Sequence, residues 1–423
     1  MNKINKNWKE VKLEDIVDIT MGQSPKSQFY NKINKGMPFL QGSSTFGHLY
    51  PSFEIYSSDI KKIAVNGSIL MSVRAPVGDL NMANTDICIG RGLCSINGKN
   101  KSLNRYIFYL LNYYKSKIVN IQTGTVFGAI SKDNILNFKV SIPQSEKEQK
   151  YIASILSALD DKIELNNKTN KILEEMAQTI FKEWFINFNF PNEDDKPYKK
   201  SGGEMIDSEL GKIPKGWKIG TIGDIAREVI CGKTPPTKDK ENYGSYMPFI
   251  TIPDMHNNIY VVKTERYLSK KGVNTQSKKT IPKNSICVSC IATVGVVSLV
   301  SEYSQTNQQI NSIIPKGKVS SYWVYFYIKN IKDMIINYAS SGTTTLNLNK
   351  SQFEKIKIII PYDNLFMSFN EIVNSLFDMI RNNQIENEKL SNIRDSLLPK
   401  LMTPNGRRAD GEIRVNGSGN NGV

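Results

Sequence analysis

The sequence predicts an α+β protein: two tandem copies of one α/β domain, separated by two long helices that form an antiparallel coiled-coil spacer with pseudo-two-fold symmetry. Three observations predict it. The chain matches itself at a nearly constant offset, and two proline- and glycine-free runs carry an a/d seam. Each copy also holds short β-type runs, broken by Gly, Pro and Asn, around one aromatic-rich helix. With 423 residues the chain is long for a single core, so two or more domains are expected on size alone.

The self-match begins with Trp8-Lys9 and Trp217-Lys218, which lie 209 positions apart, as do Asp15-Ile16 and Asp224-Ile225. Gly22 and Pro25 recur as Gly232 and Pro235 at an offset of 210, and Met37-Pro38-Phe39 recurs as Met247-Pro248-Phe249 at the same offset. Ser68-Ile69, Ser72 and Gly78 match Ser285-Ile286, Ser289 and Gly295 at 217. Gly124-Thr125, Lys132, Lys139 and Pro143 match Gly342-Thr343, Lys350, Lys357 and Pro361 at 218. An offset that grows only in small steps is what a duplicated fold with loop insertions produces. The boundaries read as a first domain over 1–145, a long helix over 146–188, a linker over 189–216, a second domain over 217–362, a second long helix over 363–402 and a flexible tail over 403–423. Within the domains, helices are expected near 105–120 and 321–338, and strands at 68–73 and 285–289.

The first long helix presents Ile152, Leu156, Leu159, Ile163, Asn166, Asn170 and Leu173 at alternating three- and four-residue spacing, continuing through Ala177, Ile180 and Trp184. Such a helix is on the order of 60 Å long and needs a partner along its length. Shifting the seam by 217 positions gives Phe369, Val373, Leu376, Ile380, Asn383, Asn387 and Leu390 in the second run. Asn166 and Asn170 thereby fall on Asn383 and Asn387, and polar residues inside an apolar seam fix register at some cost in stability. The two runs read as one helix pair.

The net charge of +15 and a pI near 9.3 point to a polyanionic partner, nucleic acid above all. The five cysteines are scattered, the N-terminus has no apolar leader, and no run of about eighteen apolar residues occurs. A cytoplasmic protein with reduced thiols and no membrane partner is the expectation.

At residues 205–217, MIDSELGKIPKGW, 181–191, FKEWFINFNFP, and 397–402, LLPKLM, the chain resembles the specificity (S) subunit of type I restriction-modification systems. The duplicated Trp-Lys, Asp-Ile, Gly and Pro openings of both domains fit the same family, and the likeness runs from Trp8 to Met402. The family's GEIRV-like end is present at 411–415, but residues 403–410, TPNGRRAD, are interposed before it. The resemblance implies two target recognition domains, each reading one half of a bipartite, asymmetric site on double-stranded DNA. It also implies that the helices set the spacing of the halves and dock two methyltransferase (modification) subunits, and that restriction motor-nuclease subunits complete the complex. S-adenosylmethionine, ATP and Mg are then expected only in those partner subunits, with no cofactor in this chain.

The residues themselves offer no catalytic set. Thr234-Pro235-Pro236-Thr237 lacks the polar and aromatic flanks of an amino-methyltransferase loop, and residues 42–47, GSSTFG, are followed by His48 where a phosphate loop needs Lys. Cys287-Val288-Ser289-Cys290 has zinc-like spacing without a second ligand pair, so two ordinary cysteines are expected and no metal. The 193–196 run, EDDK, reads as a solvated charge cluster rather than a nuclease site.

Base reading needs donors and acceptors on loops, and phosphate contact needs Lys, Ser, Thr and backbone amides. Positions that differ between the copies are the natural readers of two different half-sites. Residues 41–48, with Gln41, Ser43, Ser44 and His48, face residues 251–258, with Asp254, His256 and Asn257. Arg74 stands against Ile291 with Thr293 nearby, and Arg91 against Gln308 beside Asn307; Lys233 follows the second Gly of the Gly…Pro repeat. Thr123, Thr125 and Lys132 in the first copy, and Thr343, Thr344 and Lys350 in the second, keep a shared Gly-Thr core that suits sequence-independent phosphate contact. Glu164, Lys168, Glu175, Lys182 and Glu386 lie off the seam, facing partner subunits or water. The competing reading is a non-catalytic assembly adaptor that binds nucleic acid without sequence preference.

Overall fold

The structure, a computed structural model, describes residues 7–121, 128–340 and 346–404. The chain forms two compact units, Met1–Leu165 with Lys389–Val423 and Asn166–Glu388. Their boundary falls within both long helices, so each unit contains a part of each.

In the first unit, strand Trp8–Lys12 pairs antiparallel with Lys139–Pro143, tying the start of the domain to the residues that lead into the long helix. A four-stranded antiparallel sheet follows in the order Val17–Met21, Leu93–Gly98, Ile69–Ser72 and Leu80–Met82. A second sheet of short strands contains Met37–Leu40, which runs parallel to Ile87–Ile89. Helix Asn104–Val119 buries an unbroken run from Tyr106 to Leu111, so it is covered on all sides.

The second unit repeats this plan. Strand Lys218–Thr221 pairs with Lys357–Ile360, and the sheet order is Ala226–Cys231, Ile310–Pro315, Ile286–Ser289, Val297–Val300 and Tyr260–Val261. Tyr243–Ile250 runs parallel to Gln305–Thr306. The single helix expected over 321–338 is broken at Ile331 into Ser321–Asn330 and Lys332–Ala339. Every residue from Tyr322 to Ile328 is buried, because this helix lies against the sheet on one side and against the long helices on the other.

The first long helix runs from Glu146 to Phe181 and continues through a π-helical turn, Lys182–Ile186; the second spans Asp363–Leu401 and passes through Pro399 without ending. Ile152, Leu156, Ile163, Asn166, Asn170 and Leu173 are buried, as are Phe369, Val373 and Ile380, whereas Leu159, Leu376, Asn383, Asn387 and Leu390 are half-buried. In the second unit Asn166 donates to Asn387 Oδ1 at 2.8 Å and Asn383 donates to Asn170 Oδ1 at 2.8 Å. Partner numbers that fall as the first helix rises define an antiparallel pair. Asn166 also donates to Glu386 Oε2 at 2.8 Å, and Asn387 donates to Asn167 Oδ1 at 2.9 Å. The buried amides are therefore satisfied rather than stranded.

The seam buries more than the sibling helix. Ile152 and Leu156 join the cluster of Tyr106, Tyr109 and Leu110, together with Leu397, Leu398 and Leu401. Leu173, Ala177 and Phe181 join that of Trp323, Phe326, Phe369 and Phe377. Each long helix thus packs in a three-helix arrangement, two long helices against one domain helix, and the a/d stripe is wide enough to serve both partners.

The segment 189–216 is not a plain linker. Phe190 is 1% exposed and stacks on Trp217 at 5.4 Å and on Tyr198 at 4.6 Å. Met205–Ser208 and Gly211–Pro214 form a hairpin that buries Ile213. Its polar residues hid an anchor of alternating aromatics, while residues 193–196 are exposed with Lys196 near Asp194.

Candidate nucleic-acid interface

In the first unit three loops meet beyond the ends of two parallel strands. Strand Val17–Met21 leads into Gly22, whose N–H donates to Leu93 O at 2.9 Å, and Gln23 N–H donates to Ile89 O at 2.9 Å. Gly90 N–H donates to Leu40 O at 2.8 Å, which brings the loop after Ile87–Ile89 against the loop after Met37–Leu40. A Cβ on Gly22 would lie 2.1 Å from Gly90 O, so only glycine permits this approach. Ser24 Oγ then donates to Gln41 Oε1 at 2.9 Å and accepts the Arg91 N–H at 3.2 Å. Gln41 and Arg91 are exposed at the rim.

The second unit builds the same junction from different residues. Gly232 N–H donates to Ile310 O at 3.1 Å, Lys233 N–H to Thr306 O at 2.9 Å and Asn307 N–H to Ile250 O at 3.1 Å. A Cβ on Gly232 would meet Asn307 O at 2.2 Å. Thr234 Oγ1 donates to Gln308 Oε1 at 2.6 Å, and Lys233 and Gln308 are exposed. Asn307 is buried and braces the turn, donating to Gln309 Oε1 and accepting the Gln309 N–H. Five sequence candidates, Gln41, Arg91, Lys233, Asn307 and Gln308, therefore occupy one equivalent place in the two units. Ser24 and Thr234 were missed, although both sit inside the repeated Gly-x-Ser/Thr-Pro segment whose glycine and proline marked the duplication.

Other candidates are placed differently. Ser43 donates to Asp79, which also pairs with Lys115, and Ser44 is exposed. Arg74 and Thr293 are exposed, with Arg74 bridging to Ala129 and Ile291 to Asn347 at matching positions. His256 and Asn257 are exposed on the turn after helix Ile252–Met255, Asn257 with φ of 61°. Asp254 is occupied within that turn, accepting from Thr251 N and Oγ1 and from Glu265 N. Lys132 and Lys350 open two equivalent capped helices, and Lys350 lies 3.6 Å from Glu354. Thr123, Thr125, Thr343 and Thr344 lie outside the described residues.

His48 is turned to internal use. Its Nε2 lies 3.0 Å from Asp160 Oδ1 on the first long helix, and Asp160 also accepts from Tyr109 at 2.6 Å and from Arg394 of the second long helix at 2.6 Å. Burial by itself would raise the Asp160 carboxyl, but the bonds from His48, Tyr109 and Arg394 and the Arg394 charge hold it below the usual carboxylate range. Glu164 likewise accepts the Leu49 N–H at 3.0 Å, so this off-seam residue fastens a domain loop to the helix. In the second unit Glu174 takes Tyr325 and Lys329, and Arg381 donates to Ser301. The loop clusters are thus carried on domains fixed to the helices by polar contacts.

Cys287 and Cys290 are buried, and burial pushes both thiols up to about 12, which keeps them as neutral core side chains. Among the described residues there is no group of three or more His, Cys, Asp or Glu placed to hold a metal, and no helix long and apolar enough to cross a membrane.

A family model described as the type I restriction modification DNA specificity domain matches residues 5–175 and 214–395. The chain is 38% identical over 357 residues to the HindI specificity subunit of Haemophilus influenzae, covering 71% of this chain and 77% of that one. It is 27% identical over 437 residues to the MjaIX specificity subunit of Methanocaldococcus jannaschii, covering 98% and 95%. The crystal structure of the S subunit from M. genitalium aligns with a TM-score of 0.58 at 16% identity over 95% of this chain and 98% of that chain, a likeness of fold. Two matched domains, one per copy of the repeat, and a relative of this similarity make the assignment plain: the chain belongs to the family of type I restriction-modification DNA specificity subunits.

Proposed function

We propose that each domain reads one half of a bipartite, asymmetric sequence on double-stranded DNA through its loop cluster, and that the paired helices set the spacing of the halves. The observation that carries this reading is that one scaffold presents different polar residues in its two copies. Gln41 and Arg91 are exposed in the first, and Lys233 and Gln308 in the second, on a chain of net charge +15. Arginine donates two bonds to guanine, carboxamides bond base edges, and lysine neutralises phosphate. Two identical loop sets would favour a symmetric site; two different sets favour an asymmetric one.

In this reading the chain performs no bond chemistry. Two methyltransferase subunits dock on the helices and modify a flipped adenine, restriction subunits join that core, and S-adenosylmethionine, ATP and Mg serve in those partners. The protein works in the cytoplasm. The test uses the chain purified with its methyltransferase partners. At fixed salt, one bipartite sequence should bind several kcal/mol more tightly than random DNA. Equal binding to all sequences would favour the non-specific adaptor instead. Methylome sequencing of cells carrying the system should show one interrupted motif, and exchange of the first domain alone should change one half of it. A change in both halves would refute modular reading.

A further inference from the structure

We infer that each domain carries one glutamine, Gln41 or Gln308, as a base reader that turns its NH2 to the DNA, its carboxamide oxygen being held by a hydroxyl from the Gly-x-Ser/Thr-Pro loop. The inference rests on the loop clusters being the base-reading surface.

The geometry is the same in the two units although the glutamines are not equivalent in sequence. In the first unit the glutamine follows Met37–Leu40, and in the second it follows Gln305–Thr306, the parallel neighbour of the corresponding strand. The residue matching Gln41 in the second copy is Thr251, which caps a helix; the residue matching Gln308 in the first is Arg91. What stays constant is the hydroxyl. Ser24 and Thr234 each follow the glycine that allows the close approach, and each lies within hydrogen-bond distance of a glutamine Oε1, at 2.9 and 2.6 Å. Ser24 accepts the Arg91 N–H, which leaves its own proton for Gln41. A hydroxyl held at one point thus collects a glutamine from whichever adjacent strand supplies it.

The consequence for recognition follows from the carboxamide's two ends. Glutamine reads adenine by donating to N7 while its oxygen accepts from N6. With Oε1 held by Ser24 or Thr234, the side chain turns its NH2 to the base, which suits an edge that carries an acceptor, guanine O6 or N7, thymine O4 or adenine N7, and not cytosine, whose major-groove edge offers only an amino group. Each half-site should therefore contain one position that rejects cytosine, and Ser24 and Thr234 act as positioning residues for that preference.

The test is selection and sequencing of bound DNA by the full chain assembled with its methyltransferase partners, read as the ratio between bases at each position so that uniform losses of affinity drop out. Gln41→Glu should turn one position of one half-site from rejecting cytosine to preferring it, because a carboxylate that accepts from Ser24 still presents a second acceptor, which suits cytosine N4–H2. Gln308→Glu should do the same in the other half-site. Ser24→Ala should reduce discrimination at the Gln41 position by about fivefold, the scale of one base-edge bond, while Ser24→Thr keeps it. Base preferences that survive Gln41→Glu, or a Ser24→Ala variant that discriminates as the wild type does, would overturn the inference. A wild-type complex that binds all sequences alike would instead overturn the base-reading role itself.

Discussion

Replacing Arg394 with alanine isolates the contact that joins the second long helix to the first and to the loop at His48. Asp160 is only 2% exposed, and it accepts from Arg394, His48 and Tyr109. Removing one partner of a buried ion pair costs about 3–5 kcal/mol, because the other charge stays buried and less compensated. Arg394 is itself 21% exposed and His48 remains in place, so the lower end applies, about 3 kcal/mol. In a unit of this size each kcal/mol shifts Tm by about 2–4 °C, which makes the expected loss about 6–12 °C by calorimetry. The pH dependence gives an independent check. Since the folded carboxyl is held below its unfolded value, its stabilising share is present above the unfolded pKa, near 3.9, and disappears as pH falls through the folded pKa. The gap between wild type and Arg394→Ala should therefore narrow in strong acid. The pair Asp160→Asn with Arg394→Met should recover much of the loss, since no uncompensated charge is left buried. A loss below about 0.5 kcal/mol, or a gap that keeps its size through the acid range, would rule out this ion pair as a stabilising contact between the helices.

The asparagine rungs predict a different pattern. Asn170→Leu alone should destabilise the second unit by about 1–2 kcal/mol, because Asn383 loses its acceptor, whereas Asn170→Leu with Asn383→Leu should raise the unfolding midpoint in denaturant above that of the single variant. Gly22→Ala should cost more than about 1 kcal/mol and weaken sequence discrimination, since its Cβ would lie 2.1 Å from a backbone oxygen; Gly42→Ala, which meets nothing within 4 Å, is the control and should unfold as the wild type does. Phe190→Ala should cost about 3–5 kcal/mol in the same measurement, because the ring fills the space between Trp217 and Tyr198. A near-neutral result there would return 189–216 to the status of a linker.

Much of the architecture was legible in one dimension. The duplication, the seam and the position of the asparagines are periodic properties, and periodicity survives in a sequence whatever the fold does with it. Burial of Phe190 and Ile213 was not legible, because a short hairpin with polar turns has the composition of a connector. The break at Ile331 was hidden for another reason: residues 321–338 contain no proline or glycine, and Lys329, Asn330, Lys332 and Asp333 beside the break fit equally well the exposed face of one continuous helix.

The candidate interface divides along the same line. Comparing the two copies singled out Gln41, Arg91, Lys233, Asn307 and Gln308 from the chain alone, as polar loop positions that differ on a shared frame. It also singled out His48 and Asp254, whose roles were settled only when Asp160 and Arg394, and Thr251 and Glu265, were found beside them. Those partners lie up to 346 positions away in the chain, and no local pattern encodes a contact of that separation. Spacing along the chain carries the two-copy plan, the apolar seam with its asparagines and the loops that vary, and two copies joined end to end favour an antiparallel pair. Packing sets which loop residues remain exposed, which are spent on holding the domains to the helices, and that two hydroxyls, Ser24 and Thr234, stand against two glutamines drawn from different strands. Hydrogen bonds between loops depend on where strands end in space, and that is a property of the packed sheets.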